Sequence, residues 1–132
     1  MNKIIRNNPN TMPNPVGNYS HVTKIPKNSE LFTFSGQIGA NKAGTLPESF
    51  NEQVTNTFKN IQLALASEKL DASNIIKVNI WATEEIDWDF FYETWDNFFI
   101  NQKYPAMTIA YIHALGLPEI KIEVDIWAAK PE

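Results

Sequence analysis

The segment Ile75–Ala82 reads IIKVNIWA, and its apolar residues alternate with period two, as one half-buried strand requires. Counting from its centre, Ile76, Val78, Ile80 and Ala82 face one side, and Ile75, Lys77, Asn79 and Trp81 face the other. The stretch Ile120–Ala129 (IKIEVDIWAA) repeats the pattern. Ile120, Ile122, Val124, Ile126 and Ala128 fall on one side; Lys121, Glu123, Asp125, Trp127 and Ala129 fall on the other. Two strands with one fully apolar face need a covering layer, and the sequence supplies it from helices. Phe50, Val54, Phe58, Ile61 and Leu65 recur at spacings of three and four, after a Ser49-x-x-Glu52 capping box, which predicts a helix to about Lys69. Asp87 can cap a second helix, whose stripe is Trp88, Phe91, Trp95, Phe98 and Phe99. Further strands are expected at Glu30–Ser35 and Thr108–Ala114, with a weaker strand pair before Ser35. The order strands, helix, strand, helix, strands is an α+β plan with two helices on one face of a sheet.

The 132 residues suit one domain spanning the whole chain, with 43% hydrophobic and 20% charged residues close to the globular average. A chain this small often gains stability by oligomerising. The formal net charge of -4 offers no basic stripe for phosphates, so a nucleic-acid partner is not expected. The chain has no cysteine, which excludes disulfides, thiolate catalysis and cysteine-based zinc sites. His21 and His113 have no neighbouring ligand pattern, so no metal is expected. No apolar run approaches the roughly 18 residues that span a bilayer, and the first residues carry no apolar leader pattern. A soluble cytoplasmic protein without a membrane partner is the expectation. No dinucleotide fingerprint, phosphate loop or nucleophile elbow appears; GANKAG (residues 39–44) opens no helix directly.

The uncovered sheet face draws the next inference. Trp81 and Trp127 fall on the polar side of their strands, away from the helices. Aromatics on an otherwise polar sheet face are typical of interfaces, so this face is expected to meet other copies of the chain.

Six motifs in order, PVGNYSHV (15–22), FTFSGQIG (32–39), FKNIQLAL (58–65), IIKVNIWATE (75–84), YPAMT (104–108) and KIEVDIWA (121–128), resemble the RidA/YjgF family. The resemblance runs from about Pro15 to Ala129. It implies a chorismate-mutase-like (YjgF-like) fold, a mixed sheet assembled as a homotrimer, with three interface clefts each built from two chains. Deaminating relatives hydrolyse enamines and imines such as 2-aminoacrylate to 2-keto acids and ammonia, with no metal or organic cofactor. By that resemblance the cleft tyrosine falls on Tyr19, the serine on Ser35, and the water-positioning glutamate on Glu123. An asparagine of the second helix falls on Tyr92. The arginine that forks onto the substrate carboxylate falls on Met107, with Thr108 beside it.

That substitution decides the functional expectation. A guanidinium offers planar, bidentate, permanently charged donors, whereas a thioether is a weak acceptor. Losing a charged hydrogen-bond partner costs on the order of 1.5–3 kcal/mol. Arg6 is the only arginine in the chain, far from the motif in sequence. Lys121 shares a strand face with Glu123 and offers a charge without the fork; His113 is a further candidate donor. Two readings stay open. One is a trimeric binding protein whose interface cleft takes a small molecule, such as an imino or keto acid. The other is an enamine or imine deaminase with a changed substrate. Nothing in the residues supports the ribonuclease activity credited to some relatives.

Overall fold

The computed structural model describes residues 2–132. Strands β1 (Ile5–Asn7) and β2 (Val22–Lys24) form a separate antiparallel pair. The main sheet holds β3 (Glu30–Thr33), β4 (Ile75–Ala82), β5 (Ala106–Tyr111) and β6 (Ile122–Lys130), in the order β3-β6-β4-β5. β6 runs antiparallel to both neighbours, while β4 and β5 are parallel. A parallel pair needs a crossover, and helix α2 (Trp88–Phe98) supplies it. Helix α1 (Phe50–Ser67) packs beside α2 and against β6. The architecture is the expected mixed sheet with two helices on one face.

Both helices begin where the caps predict. The Ser49 side chain accepts from the Glu52 N–H, and the Asp87 side chain accepts from the Phe90 N–H. Between helices and sheet, Phe58, Phe91, Trp95 and Phe99 interlock by edge-to-face and stacked contacts, including Phe91 on Trp95 at 5.6 Å. Beneath them lie Val78 and Ile80 of β4 and Ile122, Val124 and Ile126 of β6, all buried.

The strand register corrects the alternation at one end of β4. Ile75 pairs with Ala128 but Lys77 pairs with Trp127, so Ile76 is an extra residue in a β-bulge. Ile75 therefore joins the helix-side core, and Ile76 is turned out of it. Both are buried, at 0% and 6% exposure, and the Ile76 carbonyl accepts from the Thr23 hydroxyl of β2. Period-two counting cannot register a residue that breaks the period.

Other boundaries shift too. β3 ends at Thr33, two residues before Ser35, although Gln37 bridges on to Val124. β5 spans Ala106–Tyr111 rather than Thr108–Ala114, which places Met107 inside the strand and His113 in the exposed loop beyond it. A polar stripe of α1 governs the loop after Gly36. The Asn60 side chain donates to the Ile38 and Ala40 carbonyls, and Asn56 donates to Gly39. Fully buried Gln53 donates to the Pro47 and Glu119 carbonyls and accepts from the Lys121 N–H, leaving no wish of its amide unmet.

Candidate functional site

The sheet separates the candidate residues into two groups. Glu123 lies opposite Trp81 on the outer face, one strand in from Gly36. Its carboxylate folds directly over Gly36: a Cβ there would sit 2.8 Å from the Glu123 Cγ and overlap the carboxylate itself. The SGQ segment therefore carries a glycine because the glutamate needs the space, and Ser35 stands exposed beside it.

The second group gathers around β5. Met107 is paired with core residue Val78, shares its face, and packs half-buried against the core. Tyr92 tilts on Trp88 with ring centroids 5.4 Å apart, and its hydroxyl lies where a side chain on Gly17 would go. Tyr19 is half-buried, accepts from the Val16 N–H at 3.3 Å, and meets His21 edge-on. The loop bearing Tyr19 is fastened to α2 and β5 at several points. Trp95 Nε1 donates to the Asn18 carbonyl at 2.8 Å, the Asn18 amide donates to Asp96, and the Ser20 N–H donates to the Pro105 carbonyl. Asp96 also accepts from the Tyr104 hydroxyl at 2.7 Å, and the Tyr104 phenol is pushed up to about 12 by desolvation and then by this carboxylate.

Thr108 belongs with neither group. Adjacent residues of a strand point to opposite faces, so it turns to the outer face, away from Met107, and accepts from Lys77 Nζ at 2.8 Å. On that same face Asp125 takes the Asn79 amide and the Trp81 indole N–H, both at 2.9 Å. Trp81 is thus satisfied within the chain and half-buried, whereas Trp127 is 46% exposed. Glu123 and Met107 lie on opposite faces with β4 between their strands. One chain alone does not bring them together.

The structure also locates the cations considered as substitutes for an arginine. Lys121 Nζ donates to the Glu48 carbonyl at 2.7 Å and lies 3.9 Å from Glu84. Arg6 donates to the Ser73 carbonyl at 2.7 Å, and burial lowers its pKa from the ordinary value. Both have partners elsewhere. Sequence reasoning missed Gly36 and Gly17 as the surfaces on which Glu123 and Tyr92 rest; only a close approach across the fold marks them. Among the described residues, no group of three His, Asp or Glu side chains is placed to hold a metal, and no helix is long and apolar enough to cross a membrane.

Comparison with known proteins fits this geometry. A model of the family described as Endoribonuclease L-PSP matches residues 9–130. A RutC family protein of Aquifex aeolicus is 36% identical over 121 residues, covering 89% of this chain and 93% of its own. Another, from Buchnera aphidicola of Schizaphis graminum, is 32% identical over 132 residues, covering 98% and 99%. The crystal structure of YyfB from Yersinia pestis, a protein of the conserved Rid family described as of unknown function, superposes with a TM-score of 0.84 at 21% identity. That superposition covers 97% of this chain and 98% of the other. The chain belongs to the RidA/YjgF family, the group also described as Endoribonuclease L-PSP.

Proposed function

We propose that this protein assembles as a homotrimer whose interface clefts bind a small molecule, and that it is not a standard deaminase of 2-aminoacrylate or 2-iminobutanoate. The observation that carries the reading is Met107 in the YPAMT motif, where the family resemblance puts the carboxylate-binding arginine, with the only arginine, Arg6, bonded to Ser73 instead. A carboxylate brought beside a half-buried thioether finds no charged donor there. The cleft joins the β5 edge of one chain, with Tyr19, Tyr92 and Met107, to the outer face of the next, with Glu123 and Ser35. Support comes from the division of these residues between two sheet faces and from the exposed Trp127 on the same face of β6 as Glu123. Two aromatic rings and a methionine make its wall apolar and suit a less charged ligand than an amino-acid-derived imine.

A second reading is favoured by one observation: the Glu123 carboxylate already rests over Gly36, poised to place a water. In that reading the protein hydrolyses an enamine or imine that lacks the carboxylate.

The test is release of ammonia and keto acid from 2-aminoacrylate generated in situ by a dehydratase. Wild type is expected to show no acceleration over the uncatalysed rate. Met107→Arg is expected to gain affinity for a small 2-keto acid with only partial turnover, because a misplacement of about 1 Å costs roughly a hundredfold in rate. Wild-type turnover at ordinary enzymatic rates would refute the binding reading.

A further inference from the structure

A half-open groove lies away from both residue groups of the candidate site. It runs between the C-terminal halves of α1 and α2, closed at its ends by the single turns Ala72–Asn74 and Ile100–Gln102. No strand residue lines it. Its volume of about 660 Å³ falls in the range of roughly 300–1,000 Å³ typical of ligand pockets. The floor is Phe58, Leu65, Leu70, Phe98 and Phe99, most of them core residues showing one edge to the groove.

The charges at its rim have one sign free. Lys59 of α1 and Lys103 beyond α2 line it on either side. The only acidic residue lining it among the described residues, Asp71, is the N-cap of its turn and accepts from the Ser73 N–H at 2.9 Å and from the Ser73 hydroxyl. Among the described residues, neither lysine has a hydrogen-bonded or ionic partner of the kind that holds Lys121. The far rim is built from Asn101, whose φ of 61° puts a non-glycine residue in the left-handed region.

From an aromatic and aliphatic floor beneath two uncompensated ammonium groups, we infer that this groove is a second ligand site for a small amphipathic acid. The occupant has an aromatic or short acyl body and one carboxylate. The body covers the Phe58 and Phe98 edges, and the carboxylate lies between Lys59 and Lys103. A lone apolar patch would take neutral and anionic ligands alike; the paired lysines make the site select the anion. The inference does not depend on what the interface cleft does.

Phenylacetate serves as the probe, with phenylacetamide as its neutral counterpart, titrated into the intact assembly and followed by amide NMR shifts. Shifts are expected at Lys59, Thr94 and Phe98, with phenylacetamide binding at least tenfold more weakly. Lys59→Gln combined with Lys103→Gln is expected to weaken phenylacetate at least tenfold. Ala66→Trp, which fills the groove from an exposed position on α1, should abolish the shifts while leaving the thermal melt intact. The inference is overturned by no binding at millimolar phenylacetate, by equal affinity for the amide, or by shifts gathered at Met107 and Glu123.

Discussion

Trp95 couples the core to the candidate site, and its replacement separates the two contributions. The side chain is fully buried, stacks on Phe91, meets Phe58 edge-on at 6.0 Å and Phe99 at 4.6 Å, and donates its indole N–H to the Asn18 carbonyl. Trp95→Ala removes all of this and is expected to cost about 3–5 kcal/mol as a large core truncation. Trp95→Phe keeps one six-membered ring against Phe91 and Phe58. It loses the hydrogen bond, about 0.5–1.5 kcal/mol, and one to two methylene equivalents of burial at about 0.8 kcal/mol each, so roughly 1.5–3 kcal/mol in total. The distinction is functional because Asn18 leads directly into Tyr19. In the Phe variant the core persists while the loop loses one fastening, so the Ser20 amide, held by the Pro105 carbonyl, should exchange faster than amides of β4. The assay is urea denaturation at one fixed protomer concentration, since assembly links stability to concentration, together with hydrogen exchange. An Ala variant losing less than about 1 kcal/mol, or a Phe variant as damaging as the Ala variant, would refute the reasoning.

Light scattering at micromolar concentration is expected to give three protomers for wild type and a smaller species for Trp127→Lys, which places a charge on the open face; a stable wild-type monomer would defeat the trimer proposal. Gly36→Ala should displace the Glu123 carboxylate, whose side chain can swing aside, at about 1 kcal/mol or slightly more; a denaturant midpoint unchanged from wild type would show that the two do not press together. The Tyr104 phenol, at about 12 against an ordinary value of 10.0, favours the folded state while protonated. Its contribution is complete below pH 10 and is lost as pH rises from there towards 12, so Tyr104→Phe should flatten the fall in stability across that window. Tyrosinate absorbance in which all four tyrosines titrate together near the ordinary value would contradict this.

The elements of this fold were legible because each is amphipathic at its own period. Phe58, Ile61 and Leu65 declare a helix by spacing, Ile122, Val124 and Ile126 declare a strand, and Ser49 and Asp87 mark where helices begin. These are local rules, and local physics enforces them. Family membership was legible for a different reason, since six ordered motifs span nearly the whole chain. The bulge at Ile76 was not legible, because an inserted residue breaks the alternation without changing composition. The candidate residues were named from the sequence, but their grouping was decided by strand order. With β4 between β5 and β6, Met107 and Glu123 face opposite sides of the sheet. The roles of Gly36 and Gly17 were also tertiary. Each is small because a side chain distant in sequence, Glu123 or Tyr92, occupies the place of its Cβ, and only the folded chain brings that side chain there.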